Sequence, residues 1–196
     1  LNGKILESKL FDEIFVPPAS GDNGTAIGAC YLSTKNQIPD FSSKRLDNYY
    51  VGSEFTDNQI EESLDKKNVN YTKPANFEKY VAQKLNEQKI IGWFQGGAEF
   101  GPRALGNRSI LTSPFPKKMK DILNSRVKFR EEFRPFAPAI LSEMTNEYFK
   151  IKQSSPHMLI AVEVKPEKIS EIPAVVHIDN SARVQTVDNS NNPKFR

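Results

Sequence analysis

From residue 76 onward the apolar positions of this chain fall into regular patterns, and before it they do so only in short stretches. Phe77, Tyr80, Val81 and Leu85 follow the i, i+3, i+4, i+8 spacing of one helix face, with Asn76 placed to cap it. The apolar run 90–94 predicts a buried strand, and Ile110-Leu111-Thr112 a second one. A helix is expected near 117–127. Between 128 and 138, Pro135 and Pro138 predict extended, stiff backbone. In an extended segment Lys128, Arg130 and Arg134, spaced by 2 and 4, share a face. Residues 158–164, 174–178 and 182–187 have the composition of strands.

The upstream part carries a weaker pattern. Residues 11–16 are expected as a strand stopped by Pro17-Pro18, and Ser20-Gly21-Asp22-Asn23-Gly24 opens a helical run over 26–32, with Ser20 or Asp22 as N-cap. Residues 36–43 have the composition of a linker, 49–52 that of a short strand, and 56–61 that of a capped helix start. A domain boundary is expected near 34–45, separating residues 1–40 from 41–196. Helices amid several strands predict an α/β or α+β domain.

Composition narrows this picture. The 196 residues can bury a sizeable core, and an apolar content of 38% with a mean hydropathy of −0.54 suits a soluble globular protein. No apolar run approaches the ~20 residues of a membrane span. The start resembles neither a secretory signal nor a transit peptide, and without an initiating Met it has the look of an excised fragment. Cys30 alone excludes an internal disulfide framework and fits a reducing cytoplasm; its apolar surroundings predict core filler rather than a nucleophile. A net charge of +3 is too mild for a nucleic-acid footprint. The positive charge is nevertheless concentrated between Arg103 and Arg134, where nine cations face only Asp121, Glu131 and Glu132. Such a region suits a polyanionic small molecule.

The candidate chemistry lies in Gln95-Gly96-Gly97-Ala98-Glu99-Phe100-Gly101-Pro102-Arg103-Ala104-Leu105-Gly106-Asn107-Arg108-Ser109, between the two predicted strands. Four of the chain's 10 glycines stand here with Arg103 and Arg108. Glycine admits close backbone approach, and arginine supplies a planar fork of donors matching phosphate oxygens. The stretch suits an oxyanion or phosphate cradle, or equally a tight turn whose arginines are solvated or paired with Glu99. It is neither a P-loop, lacking the closing Gly-Lys-Ser/Thr, nor a dinucleotide fingerprint.

Three segments carry a family resemblance. Gly96-Gly97-Ala98-Glu99-Phe100-Gly101-Pro102-Arg103-Ala104-Leu105-Gly106-Asn107-Arg108-Ser109 is similar to a signature of the NodU/CmcH/TobZ-type O-carbamoyltransferases. So are Lys128-Phe129-Arg130-Glu131-Glu132-Phe133-Arg134-Pro135-Phe136-Ala137-Pro138 and Val176-His177-Ile178-Asp179-Asn180-Ser181-Ala182-Arg183-Val184-Gln185-Thr186-Val187, in the same order and at the same spacing. The resemblance implies a YrdC-like twisted mixed sheet with flanking helices over 41–196, preceded by a strand–helix remnant of an ASKHA-like domain over 1–40. It implies ATP-dependent carbamoyl transfer: carbamate from carbamoyl phosphate attacks the α-phosphate of ATP, giving carbamoyl-adenylate for transfer to a hydroxyl on a sugar, nodulation factor or antibiotic. ATP, Mg2+ and carbamoyl phosphate are the implied ligands of this part, with Fe2+ or another divalent metal in the full-length ASKHA-like domain.

By that resemblance Arg103 and Lys128 contact carbamoyl phosphate or nucleotide phosphates, Arg183 ranks third, and Arg130, Arg134 and Arg108 follow. Asp22 is a metal ligand only in the full-length protein, with the completing histidines upstream. His177 is expected to be structural rather than a catalytic acid. Relatives place an arginine where this chain has Gly97, and the family pattern continues past Arg196, so the fragment is expected to be inactive alone. The alternatives are a YrdC-like RNA-binding module and a threonylcarbamoyl-adenylate-forming module of tRNA modification.

Overall fold

The computed structural model describes residues 1–42 and 48–196. The class is α/β, as expected: short helices alternate with short strands. Among the described residues six α-helices run in order: α1 (Asn2–Glu7), α2 (Thr25–Gln37), α3 (Asp57–Lys66), α4 (Phe77–Asn86), α5 (Met119–Leu123) and α6 (Thr145–Tyr148). The strands are β1 (Ile91–Phe94), β2 (Arg108–Leu111), β3 (Ala139–Leu141), β4 (Ala161–Glu163), β5 (Ser181–Arg183) and β6 (Gln185–Val187). Among the described residues they pair two by two. β1 and β2 are antiparallel, β3 and β6 parallel, and β4 and β5 antiparallel.

Local rules explain the helices that were legible. Thr56 and Gln59 close a capping box on α3, and the Asn76 side chain accepts from the Lys79 amide at the start of α4. On α4 Val81 is buried, whereas Phe77 and Tyr80 remain half exposed. Residues 182–187 do not form one strand. The chain passes from β5 to β6 at Val184, which is fully buried, so consecutive strands serve two different sheets. Residues 174–178 are turns instead of a strand, tied by Ala174 to the Pro114 carbonyl and by His177 to the Ser181 carbonyl. Their apolar character reflects burial of Ala174 and Val175, not sheet pairing.

The main core joins Phe149, Ile160, Val162, Val164, Ala182 and Val184 from the β4–β5 layer. A smaller cluster of Met119, Leu123 and Ala174 lies beside it, and Phe136 packs against both. The N-terminal segment is stitched onto this body. Asn2 donates to the Leu159 carbonyl, and the Gln153 amide both donates to and accepts from the backbone of Ile14. Residues 11–16 are therefore held as irregular backbone and not as a strand.

The helix expected over 26–32 is present as α2 and extends to Gln37 into the expected linker, but neither Ser20 nor Asp22 caps it. No residue of α2 is buried, so Cys30 is exposed and is not core filler. Residues 43–45, the end of the expected boundary, lie outside the described residues. Tyr49 and Gly52 pair with the glycine-rich stretch through Phe100 and Ala98, although they form no regular strand. No helix among the described residues is long and apolar enough to cross a membrane.

Two glycines contrast in their demands. Gly106 has φ +100°, and a Cβ there would stand 2.5 Å from the Phe195 ring, whereas a Cβ on Gly28 of α2 would meet nothing within 4 Å. Gly106→Ala is expected to destabilise the fold by about 2–4 kcal/mol through strain and overpacking. Gly28→Ala is expected to stabilise it by about 0.5–1 kcal/mol through helix propensity. Urea midpoints of the two variants check both signs.

Candidate functional site

The glycine-rich loop between β1 and β2 is built around one carboxylate. Glu99 Oε1 accepts from the amides of Leu105 (2.7 Å), Asn107 (2.9 Å) and Arg108 (3.0 Å). The converging N–H groups expected to hold a ligand oxyanion thus hold an acidic side chain of the loop itself. Burial raises the Glu99 pKa, but hydrogen bonds from the Arg108, Leu105 and Asn107 amides outweigh it and leave the carboxyl below its ordinary 4.5.

The carbonyls of the same segment are gripped from the other side. The Leu105 carbonyl accepts from Gln185 Nε2 (2.8 Å) and the Tyr50 hydroxyl (3.0 Å). The Gly106 carbonyl accepts from Trp93 Nε1 and Gln95 Nε2, each at 2.7 Å. The buried Asn107 amide donates to the Gly97 carbonyl and receives Asn192, which ties the loop to the end of the chain. Gly97 is required here by close packing, since a Cβ would stand 2.3 Å from the Tyr50 carbonyl oxygen.

Arg108 belongs to this scaffold. Its guanidinium donates to the carbonyls of Gln95, Asn107, Ser53 and Gly96 and lies 3.7 Å over the Phe94 ring. It does not line the cleft described next.

Arg103, Lys128, Arg130 and Arg183 are brought together on the wall of a cleft of about 710 Å3 between this loop, α5 and the β3–β6 pair. The Nε atoms of Arg103 and Arg183 are buried and have no hydrogen-bond partner. None of the residues lining the cleft is acidic, and no ion pair to these four cations occurs among the described residues. The Arg183 pKa is lowered by burial and then by the positive fields of Arg103 and Arg130. Like charges are thus held close without an ion pair among the described residues, and an arginine at neutral pH stays protonated.

The basic stretch reaches the cleft by a route that strand alternation does not describe. Lys128 ends a π-helical turn (Asn124–Lys128), and Phe129 follows in the left-handed region at φ +47°. Asn124, fully buried, then accepts from Arg130 Nε at 2.7 Å and donates to the carbonyls of Glu132 and Arg134. Arg130 also lies 4.8 Å over the Phe136 ring. Lys128 and Arg130 consequently face the cleft. Arg134 is turned to solvent 3.8 Å from Glu131 and is not part of the lining.

Asp22 opens a 3-10 turn and is exposed, and no group of three His, Cys, Asp or Glu side chains capable of holding a metal occurs among the described residues. His177 Nδ1 lies 3.0 Å from the Ser181 hydroxyl, which donates to Asp179, and burial lowers its pKa. His177 is not among the residues lining the cleft. Sequence patterns singled out neither Asn124 nor Gln185. Asn124 stands next to Ser125 and Arg126 and Gln185 next to Thr186, so neither differs from its polar neighbours in a way that marks its role.

Removing the Glu99 carboxylate strands the loop amides, so Glu99→Ala is expected to cost about 2–4 kcal/mol. Because the folded-state pKa is depressed, the carboxylate's contribution is complete above about pH 4.5 and is lost as the pH falls through the lower folded value. Urea midpoints across this acid range are expected to fall less steeply in Glu99→Gln than in the parent chain.

Residues 82–196 match the family model for the carbamoyltransferase C-terminus, and residues 1–31 match that for the carbamoyltransferase N-terminus. The chain is 39% identical to the nodulation protein NolNO of Sinorhizobium fredii over 201 residues, covering 100% of this chain and 30% of that protein. It is 38% identical to the nodulation protein NolO of Bradyrhizobium diazoefficiens, with 100% and 37% covered, and 35% identical to nodulation protein U of Rhizobium fredii, with 98% and 32% covered. It therefore spans about a third of the length of these curated relatives. The loop fixed on Glu99 and the cleft beside it fall within the C-terminal match, and the chain belongs to the carbamoyltransferase family.

Proposed function

We propose that the cleft is the carbamoyl-phosphate and ATP site of an O-carbamoyltransferase, and that this chain belongs to the part forming carbamoyl-adenylate. The observation that carries the proposal is the pair of buried, unpartnered Arg103 and Arg183 Nε atoms in a cleft without an acidic residue. An anion entering there relieves both the mutual repulsion and the missing hydrogen bonds. Convergence of the cations into a cleft favours a compact polyanion over a nucleic-acid duplex, which needs an extended basic face.

In the reaction, carbamoyl phosphate is hydrolysed to phosphate and carbamate. A carbamate oxygen attacks the α-phosphorus of ATP, and the bond to the β-phosphate oxygen breaks with release of pyrophosphate. Charge accumulates on phosphate oxygens throughout, so fixed cations supply the stabilisation. Arg103 and Arg183 supply the buried donors, and Lys128 and Arg130 line the same cleft. Arg134 joins them only if the 130–134 loop turns inward. The acidic-free lining does not fit a protein-bound Mg2+, so magnesium belongs with the nucleotide phosphates. Asp22 makes no metal site alone, and a role for it needs ligands from outside this chain. The acceptor is a hydroxyl compound read by other parts of the protein, and phosphorylated substrates suit a cytoplasmic setting.

Calorimetric titration of this chain with carbamoyl phosphate and with Mg–ATP tests the proposal. Arg103→Ala and Arg183→Ala are each expected to weaken binding about 10–100-fold, the worth of a charge-assisted hydrogen bond in a buried setting. Lys150→Ala, whose ammonium pairs with Glu163 away from the cleft, is expected to leave binding unchanged. Equal binding by Arg103→Ala, Arg183→Ala and the parent overturns the proposal. In the full-length protein, pyrophosphate release is expected to require both carbamoyl phosphate and ATP and to be lost in Arg103→Ala.

A further inference from the structure

We infer that Gln185 is a specificity-determining residue of the cleft, reading the amino group of the carbamoyl donor; the inference rests on the carbamoyl-phosphate assignment above. Gln185 is 1% exposed, lines the same cleft as Arg103 and Arg183, and its Oε1 is buried without a hydrogen-bond partner.

Its orientation is fixed by chemistry. The other end of the amide faces the Leu105 carbonyl at 2.8 Å, and only an N–H can sit there, because the flipped amide would bring two oxygens together. The Leu105 carbonyl is in turn immobile, held by Tyr50 and flanked by the amides that Glu99 grips. Gln185 Oε1 is therefore a positioned acceptor. The arginines and lysines around it can only donate. The cleft thus combines donors for an anion with one fixed acceptor for an N–H.

Carbamoyl phosphate carries both complements: a phosphate and, across the anhydride oxygen, an NH2 group. Acetyl phosphate has the same shape and charge but presents a methyl group where carbamoyl phosphate presents the amine. A methyl against Gln185 Oε1 leaves a buried acceptor unpaired, which is how a site built to hydrogen-bond a substrate rejects its isostere.

Competitive titration of this chain with carbamoyl phosphate and acetyl phosphate reads the inference directly, with inorganic phosphate as the probe of the anion site alone. The parent chain is expected to prefer carbamoyl over acetyl phosphate by about tenfold. In Gln185→Met, which matches the side chain in length and removes both polar atoms, that ratio is expected to collapse towards one. Thermal melting of the variant establishes that it folds, and the parent's preference is measurable without any variant. Equal affinity of the parent for the two acyl phosphates, with phosphate itself bound, overturns the role of Gln185 and leaves the anion cleft intact. A preference that survives in folded Gln185→Met also overturns it. Failure of all three ligands to bind overturns the carbamoyl-phosphate assignment, and the present inference with it.

Discussion

One carboxylate fixes the geometry on which the rest of the site depends. Glu99 draws three amides of its own loop onto a single oxygen, and this sets the path of residues 105–108. The carbonyls of the same segment are held as well: Tyr50 and Gln185 on Leu105, Trp93 and Gln95 on Gly106, Arg108 on Asn107. With both sides of the backbone engaged, the loop has little freedom to slide. Arg103 is projected from a rigid base, which is what electrostatic preorganisation requires.

That rigidity has a cost the fold carries openly. Arg103, Arg130 and Arg183 repel one another, and Arg103 and Arg183 each hold a buried donor with no partner. Such an arrangement destabilises a protein unless the surroundings over-determine it. Here Asn124 anchors Arg130, the Phe136 ring lies under its guanidinium, and Arg183 sits at the end of β5 beside the fully buried Val184. These costs fall together on the wall of one cleft.

Much of this was legible from local rules. The caps at Thr56 and Asn76, the β1 strand and the helix near residue 119 each follow from a few neighbouring residues. The clustering of cations between Arg103 and Arg134 was plain in the sequence, and Arg103, Lys120, Lys128 and Arg130 from that stretch line one cleft together with Arg183 of β5. Other expectations failed for identifiable reasons. Residues 174–178 are apolar because they fill a core, and nothing local distinguishes that from a strand. Arg108 and Arg103 stand in one motif, yet one is consumed by four carbonyls and the other is free to face the cleft.

By itself the sequence determined the α/β class, the family and the kinds of residue in the site, because periodicity, turn chemistry and motif spacing are properties of neighbours along the chain. Tertiary structure decided which cations meet, which carboxylate fills the amide cradle, and that Gln185 presents an acceptor beside them. Those outcomes depend on contacts between residues far apart in sequence, as Gln185 to Leu105 and Asn192 to Asn107 are, and no local pattern encodes the partner of a long-range hydrogen bond.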